Sequence, residues 1–406
     1  MSKNKNLYKS LCFLLLFVFG FTMTGCAGDK KEDAEQGNTK SEIVIGCVGA
    51  MTGPSAQLGL NLKTGVETAV EEINQNGGIN GMKVRAIMLD DEADPTKSLN
   101  LTRQLVTKDK IDAFIGPTNT TCAKAIQPYL NQNKIIQMNG GCTGTVLIDL
   151  QQYPYSFRTH FPDRDQAIFM VRRAVEAGYK RIAMVRDTSA LGAGAKADME
   201  ECFKELGVTP VADCSYNSGD VDMLPVAQKI KDSQADCALF FTLAVDGARI
   251  MKALTQIDYA PPKLVVHGYT CVGQGAFREL AGSSAEGVIC NSPEYASYPA
   301  GGQPPEKTLQ LAKKFQEKYG SNILDELIFG TALSYYDCTY LLKEGIENAG
   351  SLDSDKIKSG IEGIKDFEGA YAKISYAPDK HEGTTWENIK ACYVTKIQYG
   401  TFEQVQ

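Results

Sequence analysis

From Glu42 onward the chain repeats one pattern: a short apolar run, then a longer segment whose apolar residues fall at helical spacing. Ile43-Val44-Ile45-Gly46-Cys47-Val48 reads as a buried strand. Leu62, Val66, Ala69, Val70 and Ile73 then line one face of a helix, which Asn76-Gly77-Gly78 ends with residues suited to positive φ. Residues 84–89, 96–108, 111–115, 121–131 and 135–138 continue as strand, helix, strand, helix and strand. A second series follows FRTHFPDRDQ. Ile168, Val171 and Val175 mark a helix, and 181–185, 235–241 and 263–267 read as strands. Such alternation demands right-handed βαβ units and parallel sheets covered by helices on both faces. Two series predict an α/β protein of two Rossmann-like, doubly wound lobes. Gly301-Gly302-Gln303-Pro304-Pro305 interrupts the pattern. Helices are then expected over 306–319 and 326–348, the latter stacking Ala332, Tyr336 and Tyr340, and closing strands over 371–376 and 391–397.

The front end stands outside this fold. Lys3, Lys5 and Lys9 precede an apolar run from Leu11 to Phe21, which is shorter than the roughly 20 residues that span a bilayer. The run leads into Met23-Thr24-Gly25-Cys26, which resembles a bacterial lipoprotein signal, with Met23 where leucine is usual. The expectation is removal of residues 1–25, lipidation of Cys26, and a solvated tether over 26–40 that has too little apolar surface to order itself. With the three signal lysines gone, 42 basic residues become 39 against 49 acidic ones, a net charge near −10. That argues against nucleic acid or an anionic membrane surface as partner. About 380 remaining residues exceed one ordinary core. Cys47, Cys237, Cys290 and Cys392 sit in strand-like runs, where cysteine acts as a small hydrophobe; mostly free thiols are expected. With three histidines and no C-x-x-C spacing, no metal site is expected, and no cofactor.

In open α/β sheets ligands bind beyond the carboxyl ends of the strands. The loop after the first strand is Met51-Thr52-Gly53-Pro54-Ser55-Ala56-Gln57-Leu58-Gly59. The loop after the third is Pro117-Thr118-Asn119-Thr120-Thr121, and after the fourth Asn139-Gly140-Gly141-Cys142-Thr143-Gly144. All three are rich in hydroxyls, glycines and backbone amides, and none is charged. Loops of this kind at helix starts hold anions, through outward amides and the helix dipole. One hydroxyl would serve as a helix cap; three such loops at one sheet edge point to a site for a carboxylate-sized anion. No G-x-S-x-G, G-x-x-x-x-G-K-[ST] or H-E-x-x-H occurs, so no enzymatic activity is expected.

GAMTGPSAQLG, AVEEINQNGGINGMKV, LDDEADPTKS and IDAFIGP, followed by YPYSFRTHFPDRDQ and LAGSSAEGV, resemble the branched-chain amino-acid-binding proteins of ABC transporters over nearly the whole chain after the signal. The resemblance implies a Venus-flytrap of the type I periplasmic binding class. Its three hinge crossovers would lie near Phe161, Asn291 and Phe367, one lobe comprising 41–161 plus 291–366 and the other 162–290 plus 367–406. It implies an extracytoplasmic receptor, held to the membrane only by its lipid, that delivers a small apolar amino acid to an ABC permease. The ligand carboxylate would be held by Thr120 or Thr121 and by Gly141-Cys142-Thr143, with Ser55 and Leu58 beside them and Leu191, Tyr269 and Thr270 on the opposite lobe.

The departures from the family pattern carry equal information. Leu58 and Leu191 stand where aromatic residues are common. The loop Gly268-Tyr269-Thr270-Cys271 lacks the acid that often meets the ligand's ammonium. A buried ammonium without a counter-charge costs several kcal/mol, against ~1 kcal/mol returned by a neutral hydrogen bond. Either Asp246 or Asp163 supplies the charge, if these are not merely helix caps, or the ligand is a carboxylic acid without an amine. Leu58, Leu191, Leu243 and Tyr269 would form an apolar wall. A sensory ligand-binding module shares the same fold and stands as the reading from another class.

Overall fold

A computed structural model of the chain describes residues 40–53, 55–144, 147–259 and 264–406; the side chains of Ala190, Leu264 and Thr270 are also outside the description. The expected signal, Cys26 and the tether over 26–39 lie outside the described residues.

The first sheet contains β1 (Glu42–Gly49), β2 (Lys83–Asp90), β3 (Ala113–Ile115), β4 (Ile136–Asn139) and β5 (Ser156–Arg158) in the order β2-β1-β3-β4-β5. All its pairings are parallel. β1 is buried along nearly its whole length because helices cover both faces, which is why its sequence is continuously apolar rather than alternating. The crossovers are α1 (Ala56–Gln75), α2 (Pro95–Thr107) and α3 (Thr120–Gln132). Leu62, Val66, Ala69 and Ile73 of α1 are buried as the spacing requires. Pro95 opens α2 behind Asp94, whose side chain accepts the Lys97 amide at 2.7 Å.

After β5 the chain enters α4 (Asp163–Glu176) and builds the second sheet. Its parallel part is β6 (Ile182–Asp187), β7 (Ala212–Tyr216), β8 (Cys237–Phe241), β9 (Leu264–His267) and β10 (Ile289–Pro293). Between them run α5 (Ala190–Glu205), α6 (Leu224–Asp232), α7 (Ala244–Gln256), α8 (Tyr269–Val272) and α9 (Gly275–Ala281). The short β11 (Ser297–Tyr298) follows, then α10 (Glu306–Tyr319), α11 (Ile323–Glu326), α12 (Phe329–Ala349) and α13 (Ser354–Glu362). α12 is buried along much of its length, and its Tyr335, Cys338, Leu341, Leu342 and Ile346 join the core of the first sheet. A two-strand hairpin, β12 (Phe367–Glu368) with β13 (Lys373–Ile374), precedes β14 (Ile389–Gln398) and β15 (Thr401–Gln404). These last two extend the second sheet as an antiparallel edge on β10, giving the order β11-β15-β14-β10-β9-β8-β6-β7. The molecule is thus the expected pair of doubly wound lobes.

Two expectations need correction. Tyr371–Tyr376 is not a strand: only Lys373 and Ile374 pair. The amides of Ala370 and Tyr371 instead donate to the buried Asp337 carboxylate of α12 at 2.7 and 2.8 Å, so a side chain replaces the ladder. Residues beyond Phe367, grouped by sequence with the second lobe, first lie on the first sheet. Ile374 and Tyr376 sit in its core, and Arg158 N donates to His381 O at 2.9 Å. The third passage to the second sheet therefore falls at 384–388. Trp386, the single tryptophan of the chain, sits in that passage with the Arg172 guanidinium of α4 5.7 Å from its ring centre.

Candidate functional site

The carboxyl ends of both sheets meet at one cavity of about 380 Å³. On the first-lobe side it is lined by Leu58, Thr118, Asn119, Thr120, Thr121, Gly141 and Thr143; on the second-lobe side by Asp187, Ser189, Leu191, Ser218, Leu243, Tyr269 and Gln274. His160, from the first crossover, and Ile328 and Thr331, from the start of α12, complete the wall. Of the residues singled out by sequence, Leu58, Thr120, Thr121, Gly141, Thr143, Leu191 and Tyr269 come together here. Ser55, Cys142 and Asp246 are not among the lining residues, and the Thr270 side chain lies outside the described residues.

The loop after β3 holds its shape without a hydroxyl cap. Asn119 is the N-cap of α3, and it makes no side-chain cap bond, contrary to the expectation that one of the threonines would cap the helix. Thr118 is used elsewhere: its Oγ1 accepts the Ala50 amide at 3.1 Å and donates to Asn119 Oδ1 at 2.9 Å. That bond ties the first and third strand-end loops together. The first turn of α3 therefore keeps unpaired amides beside Thr120 and Thr121.

The loop after β4 is pressed against α12. A Cβ at Gly141 would come within 2.5 Å of Tyr335 Oη, and that hydroxyl donates to Pro117 O at 3.1 Å. Only glycine permits this approach. Cys142 turns inward, its amide donating to Asn139 Oδ1 at 3.0 Å and its thiol to Pro117 O at 3.1 Å. Thr143 is left facing the cavity. Behind it, the Asp163 amide donates to Thr143 O at 2.9 Å. Burial pushes the Asp163 carboxyl up to about 6, with the Thr143 side chain and the Arg158 charge pulling the other way and Asp198 adding to the rise. Asp163 is the first residue of α4 behind the N-cap Pro162, so it supports Thr143 instead of capping the helix. Arg158 is fully buried below this loop. It pairs with Glu382 and donates to Gly144 O at 2.8 Å.

Neither acid proposed from sequence reaches the cavity wall. Asp246, in the first turn of α7, accepts the Gly219 amide at 3.3 Å and pairs with Arg249 at 3.8 Å. The acid that does line the cavity is Asp187, at the end of β6. Its Oδ1 accepts from Ser189 N at 3.0 Å, Ser189 Oγ at 2.6 Å and Gly192 N at 3.2 Å, so it ties down the start of α5. Gly192 is required there, since a Cβ would fall 2.2 Å from Asp187 O.

His160 was not anticipated. Its Nδ1 lies 3.0 Å from Phe161 O, a carbonyl that can only accept, so Nδ1 carries the proton and Nε2 presents a lone pair. Burial pushes the imidazole down to about 4, leaving it uncharged at neutral pH. His160 stands just past the carboxyl end of β5, where the strand-end rule points, but that three-residue strand at the start of FRTHFPDRDQ is too short to read from sequence.

The cavity thus joins amides and hydroxyls on the first-lobe side to a second-lobe side that mixes Leu191, Leu243 and Tyr269 with Asp187, Ser189, Ser218 and Gln274, an arrangement suited to holding a small acid by its carboxylate while part of its body rests on apolar wall. A family model described as periplasmic binding protein matches residues 42–400. The Leu/Ile/Val-binding protein homolog 3 of Brucella melitensis biotype 1 is 27% identical over 340 residues, 83% of this chain and 88% of that protein. The Leu/Ile/Val-binding protein of Escherichia coli K12 is 27% identical over 261 residues, 64% of this chain and 70% of that protein. Two solved structures share the fold. The branched-chain amino acid transporter substrate binding protein LivJ of Streptococcus pneumoniae, in complex with isoleucine, has a TM-score of 0.74 and 21% identity, covering 90% of this chain and 99% of its own. A solute binding protein of an ABC transporter from Rhodopseudomonas palustris HaA2, in complex with p-hydroxybenzoic acid, has a TM-score of 0.77 and 21% identity, covering 90% and 96%. Sheet order, cleft and a match spanning almost every described residue lead to one conclusion: the chain belongs to the periplasmic binding protein family.

Proposed function

We propose that this protein is the extracytoplasmic receptor of an ABC transporter, anchored through lipid on Cys26, and that it binds a small carboxylic acid with an apolar body and presents it to the permease. We assign the lobes as 41–161 plus 291–366 and 162–290 plus 367–406, with the boundaries moved so that β10 and β11 stay with the second sheet and 374–383 with the first. One observation carries the reading: threonines and open amides from the ends of β3 and β4 face Leu191, Leu243 and Tyr269 across one cavity. Thr120, Thr121 and Thr143 would meet the carboxylate. Burial of the aliphatic or aromatic body against the leucines contributes about 0.8 kcal/mol per methylene. Receptor chemistry, with no covalent step, is the role these groups fit.

The names of the relatives favour an apolar amino acid. A specific observation favours the other reading, an acid without an amine: Asp163 and Asp246 lie outside the cavity wall, and Asp187, which lines it, has Oδ1 committed to the start of α5. A thermal-shift panel tests the common part. Leucine, isoleucine, valine, phenylalanine and their amine-free analogues are added at saturating concentration, and at 100 times Kd a true ligand stabilises by about 2.7 kcal/mol. Absence of any shift across the whole panel rejects the proposal.

A further inference from the structure

His160 and Thr331 form a polar corner of the cavity that the carboxylate cradle does not use. The imidazole is 2% exposed and fixed on several sides: Phe161, Tyr371 and Tyr269 lie with ring centres 4.6, 5.1 and 6.4 Å from it. Its Nδ1 proton is committed to Phe161 O. Nε2 has only the Thr331 hydroxyl, at 3.5 Å, the outer limit of a hydrogen bond. Both residues line the cavity, and so does Tyr269, in the loop after β9, which carries no acid. The corner is also near the cradle. Thr331 precedes Tyr335 by one turn of α12, about 6 Å along the axis, and Tyr335 is the ring that packs on Gly140 and Gly141.

We propose that the His160 Nε2 lone pair, with Thr331, accepts a hydrogen bond from a donor carried next to the carboxylate of the bound acid, and that the receptor thereby selects a 2-hydroxy acid with an apolar side chain over the corresponding amino acid. The inference rests on the carboxylic-acid reading above and narrows it. An uncharged ring can satisfy a hydroxyl fully. A desolvated ammonium needs a counter-charge as well, and Asp187, the acid on the wall among the described residues, stands at the end of β6 on the second-lobe side with Oδ1 held by three donors at the start of α5. A ligand lacking any donor leaves Nε2 with its long bond to Thr331 and forgoes the interaction.

The experiment uses the purified full chain and isothermal titration with five acids: 2-hydroxy-4-methylpentanoate, leucine, 2-oxo-4-methylpentanoate, 4-methylpentanoate and 4-hydroxybenzoate. The hydroxy acid is expected to bind about tenfold more tightly than the oxo and unsubstituted acids, the factor one buried hydrogen bond supplies, and more tightly than leucine. In His160→Phe and, separately, in Thr331→Val, the ratio of hydroxy to unsubstituted acid is expected to shrink toward one. Two results overturn the inference while leaving the carboxylic-acid reading intact: tighter binding of leucine or 4-hydroxybenzoate than of the hydroxy acid by the unaltered protein, or an unchanged ratio in both variants. Failure of all five acids to bind removes the carboxylic-acid reading and this inference with it.

Discussion

Single side chains decide how the cradle is held. Gly141 lies so close to Tyr335 that even a methyl group must displace a hydroxyl already bonded to Pro117 O. Gly141→Ala is expected to cost about 2 kcal/mol, the usual scale of overpacking, read from urea denaturation; unfolding at the parental midpoint would show that the contact is slack. Arg158 is the charge beneath the loop. Arg158→Met leaves Glu382 without its partner and Gly144 O without its donor, and should cost about 3 kcal/mol. Asp163 gives a pH signature. Its carboxyl, facing Thr143, Gln166, Arg158 and Asp198, is pushed up to about 6, above its ordinary value of 3.8. The folded state therefore holds the proton more firmly than the unfolded chain. The group penalises folding progressively as pH rises from about 4 to 6 and fully above that range. Asp163→Asn should remove this trend, so stability curves of parent and variant should diverge between pH 4 and 6 with the parent falling. Parallel curves would refute the assignment.

At the level of helices and strands, α5 depends on an acid that is not its formal cap. Asp187, at the end of β6, collects three donors from the first turn. Asp187→Ala is expected to destabilise by about 2 kcal/mol, the upper range for loss of a cap, and to move Ser189 and Leu191, so ligand affinity should fall with stability. Helix and strand identities were readable where one period ran long enough: α10 spans Glu306–Tyr319 as its amphipathic spacing requires. Tyr371–Tyr376 looks like a strand by its apolar side chains, while its amides find scattered partners: Tyr371 N donates to Asp337 from a helix some 30 residues earlier, Ser375 N to Gly383 O and Tyr376 N to Ile364 O. The cavity divides the same way. Thr120, Thr121, Gly141, Thr143 and Leu191 follow strand ends in sequence and could be found by rule. His160 follows β5, a strand too short to read from sequence, and Ile328 and Thr331 come from a helix start, so only the tertiary arrangement brings them to the same wall.

Over the whole molecule, the core is built with unbridged cysteine. The ten cysteines among the described residues are all free and all buried. Burial pushes the thiols upward, Cys271 and Cys392 to about 12, so they are poor nucleophiles while the fold is intact. Ellman's reagent should therefore find almost no reactive thiol among these ten in the native protein and all of them in denaturant. Prompt native labelling would mean that one of the lobes opens far more readily than its packing indicates.

The placement of Trp386 has a practical corollary. The lone indole rides on the connecting segment 384–388, with the Arg172 guanidinium of α4, a helix of the second lobe, over its ring. A swing of one half against the other bends the passage that carries this indole and so changes the polarity around the ring. The protein therefore carries its own fluorophore at the joint, and its emission can follow the clasp of a ligand in real time without any attached label.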